Sequence, residues 1–182
     1  MQTKEKNLNL PNILASFRIL LAPLMLWFMI DQSNPIFNGW DKSWFDYFAG
    51  LIFVLASVTD FFDGYIARSW NQMTKLGSIL DPLADKMLML AGFIGLIAMG
   101  RASAFAVFLI LSREFFITGL RVVAVSEGKS VASTMAGKIK TVVQMIAIGF
   151  LIMNWPFGIE LLWLATFLTI YSGYEYVREY FK

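Results

Sequence analysis

Six long apolar stretches in a chain of 182 residues constrain the fold more than any other feature of this sequence. A helix needs about 20 mainly apolar residues to cross roughly 30 Å of hydrocarbon, and each stretch is close to that length. Residues that favour turns lie between them. The pattern predicts an all-α integral membrane protein, a bundle of six transmembrane helices built as a single domain over residues 1–182. The predicted spans are 13–30, 48–67, 76–99, 103–126, 135–154 and 159–177.

The composition is consistent with a membrane location and excludes several kinds of chemistry. Hydrophobic residues make up 58% of the chain and charged residues 15%, which is more apolar surface than a soluble core requires. The absence of cysteine and histidine excludes disulfides, thiolate zinc sites, cysteine nucleophiles and imidazole acid–base chemistry. A net charge of +2 gives no electrostatic support for a nucleic-acid partner. Any reaction must use carboxylates, hydroxyls, Lys, Arg or bound ions.

The distribution of Lys and Arg between the loops predicts the orientation of the bundle. Both termini and every second connection are basic, whereas the alternate connections carry few basic residues. Because short cytoplasmic loops carry the excess of Lys and Arg, we expect both termini on the cytoplasmic side. The basic residues on that side are Lys4, Lys6, Arg68, Lys75, Lys129, Lys138, Lys140, Arg178 and Lys182.

Four aspartates lie within the second and third predicted spans. Asp60 and Asp63 are three residues apart and share one helix face. Asp81 and Asp85, four residues apart, share a face of the next helix. Both pairs lie roughly 8 to 12 Å from the cytoplasmic ends of their helices at a rise of about 1.5 Å per residue. A connection of about eight residues would let the two helices lie side by side, so the four carboxylates are expected at one depth.

These carboxylates need a counter-charge. Each aspartate near the middle of a span costs about 2.5 to 3.5 kcal/mol on insertion scales, and like charges close together add to that cost. Arg68 alone is too little positive charge and lies too far along its helix, whereas one or two divalent cations would suffice. Oxygen ligands without nitrogen or sulfur favour magnesium, manganese or calcium, and magnesium is favoured where phosphate is the other ligand. The simpler alternative is that single carboxylates reach toward water or pair with Lys and Arg.

A second set of charges indicates an anion site. Arg113 falls inside the apolar fourth span, and Arg121 lies eight residues further on nearly the same face. Lys138 begins the fifth span. We therefore expect Arg113, Arg121 and Lys138 to bind an anionic group. Arg113 could instead pair with Glu114 or with a neighbouring span, and Lys140 is expected to contact lipid headgroups because it points elsewhere.

Carboxylates that hold two metals beside cations that hold an anion form a phosphoryl-transfer site. Its position at the cytoplasmic face of an apolar bundle makes one substrate a lipid. One alternative is a cation-coupled transporter, since carboxylates among membrane helices also form ion pathways. Transporters more often carry such groups near the midplane and have inverted repeats, and neither feature is apparent in this sequence. A non-enzymatic scaffold would leave the cost of burying the charges unexplained.

The acidic segment reads Asp60-x2-Asp63-Gly64-x2-Ala67-Arg68-x8-Gly77-x3-Asp81-x3-Asp85. It resembles, without a mismatch, the signature of the CDP-alcohol phosphotransferase family. The resemblance implies a six-helix membrane enzyme, usually a homodimer, in which an alcohol displaces CMP from a CDP-linked lipid. It further implies two metal ions, Mg²⁺ or Mn²⁺, held by the four aspartates, with Asp85 also acting as the general base. The implied contacts to the CDP-lipid are Asn12, Gly64, Arg68 and Thr74.

Three further segments resemble the bacterial phosphatidylglycerolphosphate synthase branch of this family. They are Pro11-Asn12 with Arg18, Ser112-Arg113-Glu114 with Thr118 to Arg121, and Gly137-Lys138 with Thr141 and Gln144. The resemblance implies CDP-diacylglycerol and sn-glycerol 3-phosphate as substrates, in a bacterial inner membrane. A phosphate-bearing acceptor would account for Arg113, Arg121 and Lys138. Inositol phosphate or a phospholipid remains an alternative acceptor, and Ala15 replaces the Thr that the branch often has.

Overall fold

The computed structural model describes residues 10–32, 39, 41–69, 77–128 and 135–181, except for the side chains of residues 10, 11, 61–69, 78 and 79. Within these ranges the chain forms six helices, one at each predicted span, so the prediction of six helices is confirmed. They are α1 (Leu10–Ile30), α2 (Lys42–Ser69), α3 (Gly77–Ala98), α4 (Ala104–Ser126), α5 (Met135–Ile152) and α6 (Gly158–Tyr180).

The start of α2 differs from the prediction. The helix begins at Lys42 rather than at residue 48, because Asp41 satisfies a free N–H group at its first turn. The Asp41 carboxylate accepts hydrogen bonds from the Ser43 backbone N–H and from the Ser43 hydroxyl, both at 2.9 Å. These bonds stabilise the charged carboxylate and lower the pKa of Asp41 below its usual value. The hydrophobic pattern marked only the apolar part of a longer helix.

The helices divide into two compact units, Met1–Ala98 and Met99–Lys182. In the first unit α1 packs against both α2 and α3. Small residues let the helices approach closely, since Ala15 and Ala84 are completely buried. Gly95 of α3 faces Met29 of α1, and a Cβ at Gly95 would lie 2.6 Å from the Met29 sulfur. Close packing of this kind holds helices together where lipid replaces water.

In the second unit α6 packs against both α4 and α5. The buried Gln144 of α5 donates a hydrogen bond to the Thr169 hydroxyl of α6 at 2.7 Å. Arg101, in the connection before α4, donates to the Ile152 carbonyl at 2.6 Å and so satisfies a free carbonyl at the end of α5. Polar contacts therefore join elements of this unit that are otherwise apolar.

Two of the described helices are long and apolar enough to cross a membrane by length and composition alone. They cover Asn12–Ile30 and Met135–Ile152. The other four carry most of the charged residues of the predicted sites. Large apolar side chains such as Phe105, Phe116 and Phe167 are more than 60% exposed, as a lipid-facing surface allows.

Candidate active site

An arginine on α1 joins the two acidic helices. The Arg18 Nη1 atom donates to the Asp60 Oδ1 atom of α2 at 2.6 Å and also to the Asp85 Oδ1 atom of α3. Arg18 is completely buried, while the side chains of Asp60 and Asp85 are 38% and 45% exposed. Two carboxylates from separate helices therefore bind the same buried cation, and both side chains remain partly exposed to solvent.

The positions of these residues along their helices explain the meeting. Arg18 is eight residues after the start of α1, and Asp85 is eight residues after the start of α3. Asp60 is nine residues before the end of α2. At about 1.5 Å per residue, all three lie roughly 12 to 14 Å from an end of their helix. Because α1 packs against both α2 and α3, matched depth is enough to bring the side chains together.

Asp81 belongs to the same region. It lies one helical turn before Asp85 and within electrostatic range of Arg18 and Asp60. Its Oδ1 atom is buried and accepts no hydrogen bond from the described residues. A buried carboxylate oxygen without a donor is costly unless another cation or donor reaches it. Asp81 is thus the member of the described cluster that is least satisfied by the protein itself.

The donor set suits a hard divalent cation. Asp60, Asp81 and Asp85 offer only oxygen atoms, which are the ligands that magnesium and manganese prefer. Among the residues with described side chains, no three acidic residues are grouped closely enough to form a complete metal site. The Oδ1 atoms of Asp60 and Asp85 are both bound to Arg18, and the side chain of Asp63 lies outside the described residues. The orphaned oxygen of Asp81 is the observation that fits a metal.

The predicted CDP-lipid contacts are described only in part. Asn12 is 4% exposed, and its backbone carbonyl accepts a hydrogen bond from the Ser16 hydroxyl at 2.8 Å. Gly64 and Arg68 lie on α2, in the stretch of that helix whose side chains the structure does not describe. Thr74 lies in the connection between α2 and α3, also outside the described residues. Their predicted contacts with the CDP-lipid stay predictions.

Sequence reasoning missed the role of Arg18. We expected bound metal to supply the counter-charge for the aspartates, yet Arg18 supplies one positive charge directly. A signal was present, because Arg18 is the one charged residue between Asn12 and Ile30. A single arginine inside an apolar span needs an anionic partner on a neighbouring helix. Each helix was predicted from its own stretch of sequence, so the prediction did not pair Arg18 with aspartates of other helices.

The second unit contains its own charged cluster. Arg113 Nη1 lies 3.3 Å from Glu114 Oε1, so the pairing that the sequence left open is present. Arg113 Nη2 also donates to the Ser172 hydroxyl of α6 at 3.0 Å. The Arg121 guanidinium lies 5.8 Å from the centre of the Tyr176 ring, a cation–π contact. Arg113 and Arg121 are therefore each held by a residue of α6.

The two lysines of α5 differ from expectation. Lys138 is exposed, as a group that meets a soluble anion could be. The prediction that Lys140 contacts lipid headgroups is wrong, because Lys140 is 6% exposed and its Nζ atom donates to Glu114. A buried ammonium needs a carboxylate partner, and Glu114 of α4 provides one.

Comparison with known proteins identifies the family. The family model for CDP-alcohol phosphatidyltransferases matches residues 8–171, which is most of the chain and includes the acidic cluster. The chain belongs to the CDP-alcohol phosphatidyltransferase family. The family resemblance of the acidic segment is thereby confirmed. As a CDP-alcohol phosphatidyltransferase the protein is an enzyme, and its family is integral to membranes and uses divalent metals.

Several members of the CDP-alcohol phosphatidyltransferase family match nearly end to end. A Bacillus subtilis (strain 168) protein is 40% identical, over 94% of this chain and 94% of its own length. A Rickettsia felis protein is 39% identical over 93% and 94%, and a Cereibacter sphaeroides protein is 32% identical over 95% and 96%. All three are named CDP-diacylglycerol–glycerol-3-phosphate 3-phosphatidyltransferase.

Proposed function

We propose that this protein transfers the phosphatidyl group from CDP-diacylglycerol to sn-glycerol 3-phosphate, giving phosphatidylglycerol phosphate and CMP. The observation that carries the proposal is the meeting of Asp60 and Asp85 from separate helices, in a chain that matches bacterial enzymes of this name over at least 93% of its length. A phosphorylated acceptor also accounts for cations inside apolar helices of the second unit.

The acidic cluster would hold the metal ions. Asp60, Asp63, Asp81 and Asp85 are the proposed ligands, and their oxygens suit two Mg²⁺ or Mn²⁺ ions. Ions held there would supply positive charge against a diphosphate and against the phosphate of the departing CMP. The four proposed ligands lie on α2 and α3, and Arg18 of α1 fixes Asp60 and Asp85 relative to each other.

The residues of the chain have distinct roles in the transfer. The acceptor hydroxyl attacks the phosphorus linked to diacylglycerol while the bond from that phosphorus to the CMP oxygen breaks, and Asp85 takes the hydroxyl proton. The proposed attack is direct, because the candidate for a covalent nucleophile would be an aspartate that is already needed to bind metal. The proposed CDP-lipid contacts are Asn12, Gly64, Arg68 and Thr74. The proposed contacts to the acceptor phosphate are Arg113, Arg121 and Lys138.

An acceptor panel tests the proposed function. Purified protein with CDP-diacylglycerol should release CMP when sn-glycerol 3-phosphate is added, and should release far less with inositol phosphate or a phospholipid as acceptor. A chelator should abolish CMP release, and Mg²⁺ or Mn²⁺ should restore it. The released CMP and the lipid product are measured by chromatography. CMP release that does not depend on glycerol 3-phosphate would contradict the assignment of the acceptor.

The chelator test in the same assay distinguishes an enzyme from a transporter. Full CMP release in the presence of chelator would contradict the proposed metal chemistry. A protein that moves cations across vesicles without forming CMP would be a transporter instead. A phosphatidyl group trapped on the protein would overturn direct attack by the acceptor.

We also propose that the chain forms a homodimer. We further propose that it crosses a bacterial inner membrane six times, with both termini and the acidic site at the cytoplasmic side. Glu160 and Arg178 are both exposed and lie near opposite ends of α6. Because the chain has no cysteine, single-cysteine variants can report the side of each end. A membrane-impermeant maleimide should label Glu160→Cys in intact cells and Arg178→Cys only after permeabilisation. The reverse labelling would contradict the proposed orientation.

A further inference from the structure

Glu114 links two buried cations in the second unit. Its Oε1 atom accepts a hydrogen bond from Lys140 Nζ of α5 and lies 3.3 Å from Arg113 Nη1. The side chains of Lys140, Arg113 and Glu114 are 7%, 13% and 21% exposed, so the whole cluster is shielded. One carboxylate between two cations leaves the cluster with a net charge of +1.

Arg113 is held from its other side by α6. Its Nη2 atom donates to the Ser172 hydroxyl at 3.0 Å, while that hydroxyl donates to the Thr169 carbonyl at 3.1 Å. Ser172 therefore acts as an acceptor for Arg113 because its own proton is already committed. Gly173 leaves room for the arginine, since a Cβ there would lie 3.1 Å from both Arg113 Cγ and Nε.

The Nε donor of the arginine is not used by these contacts. The Nε atom of Arg113 is buried and has no hydrogen-bond partner among the described residues. A buried guanidinium donor without an acceptor is costly unless a ligand supplies one. The guanidinium is thus held on two edges by Glu114 and Ser172, and its Nε–H has no acceptor among the described residues.

We propose that Glu114 is a positioning residue for the acceptor. By accepting from Lys140 and Arg113 together, its carboxylate fixes the Arg113 guanidinium in the orientation that binds the phosphate of the acceptor. This inference rests on the proposed function, in which Arg113 contacts that phosphate. Glu114 itself touches no substrate, because an anion would repel the acceptor phosphate.

Two possible effects of Glu114 predict opposite changes in the binding of glycerol 3-phosphate when Glu114 is removed. If Glu114 acted on the acceptor through its negative charge alone, its removal would strengthen binding of glycerol 3-phosphate. If it positions Arg113, its removal lets the guanidinium turn away and weakens that binding. We expect positioning to dominate, because Glu114 provides contacts on both Arg113 and the buried Lys140.

The first test is the kinetics of Glu114→Gln with both substrates. The KM for glycerol 3-phosphate should rise about ten- to a hundredfold, as expected when a supporting contact is lost. The KM for CDP-diacylglycerol should stay unchanged. Glu114→Asp, which keeps the charge on a shorter side chain, should recover part of the loss. Glu160→Gln is the matched control, since Glu160 is an exposed residue of the same unit, and it should behave as the unmodified protein does.

A second variant reaches the same arginine without changing charge. Gly173→Ala places a methyl group against Arg113 Cγ and Nε and should also raise the KM for glycerol 3-phosphate selectively. This variant keeps the inference testable if Glu114→Gln does not fold. Combining Glu114→Gln with Lys140→Gln should cost less than the sum of the single changes, because the two residues share one contact.

The outcomes separate the inference from the proposed function. If the unmodified protein does not use glycerol 3-phosphate, the proposed function itself is wrong. If it does, and Glu114→Gln lowers the KM for glycerol 3-phosphate or leaves it unchanged, the positioning role is overturned. An equal rise in the KM of both substrates, in Glu114→Gln and in Gly173→Ala, would also overturn it, since only general structural damage would then be seen.

Discussion

Replacing Asp85 with asparagine should reduce CMP formation by at least about a thousandfold. Asparagine is nearly the same size as aspartate but cannot take a proton from the acceptor hydroxyl, and it is a poorer ligand for a divalent ion. The Asp85 side chain is 45% exposed and meets Asp60 on Arg18, so it is accessible to a substrate at the centre of the acidic cluster. The measurement is the initial rate of CMP release in detergent at saturating concentrations of both substrates.

Asp41→Asn is the matched control for this experiment. Asp41 is exposed at the start of α2, outside the acidic cluster, and asparagine serves as well as aspartate at a helix N-terminus. The control should retain the activity of the unmodified protein. If Asp85→Asn also retained it, Asp85 would be neither the base nor an essential ligand, and the proposed mechanism would fail.

Replacing Arg18 with methionine should both destabilise the protein and reduce its activity. The change removes the shared donor of Asp60 and Asp85 and leaves two like charges at close range. Removing one partner of a buried ion pair costs about 3 to 5 kcal/mol, and we expect the lower value because the aspartates are partly exposed. A loss of about 3 kcal/mol lowers the midpoint of thermal unfolding by roughly 6 to 12 °C for a chain of this size. The midpoint is measured in detergent by the intrinsic fluorescence of the protein.

Two comparisons show whether this effect comes from the ion pair. Arg178→Met removes an exposed arginine near the end of α6 and should leave the midpoint of unfolding unchanged. Arg18→Met should cost less stability in a chain that already carries Asp85→Asn, because one of the two charges that it would leave unpaired is gone. Equal costs in the two backgrounds would mean that Arg18 stabilises the protein through packing and not through its bonds to the aspartates.

The sequence predicted the helices well because hydrophobicity is a local property. Each span is a run of apolar residues of membrane length, and all six appear in the structure as helices. The start of α2 was less accurate, since Lys42 and the capping interaction of Asp41 are polar and do not register as apolar periodicity. The acidic signature was equally readable, because its spacing lies within about 25 residues of one chain segment and needs no knowledge of packing.

The partners of the buried charges could not be read in the same way. Arg18 is 42 residues from Asp60 and 67 from Asp85, and Lys140 is 26 from Glu114. Which helix faces are apposed depends on side-chain packing along the whole length of each helix. The rule that residues two apart on a helix point in different directions is correct for Lys138 and Lys140. It did not reveal that Lys140 was the one that pointed inward.

The sequence by itself determined the class of this protein, the number of its predicted helices and the acidic signature of its family, because each is encoded by composition or by short fixed spacings. Only the tertiary structure decided which cations satisfy which carboxylates. Arg18 joins Asp60 to Asp85 through the packing of α1 against α2 and α3, and Glu114 joins Lys140 to Arg113. The physical reason is that a charge buried among helices must find its partner in space, and that partner can lie anywhere along the chain.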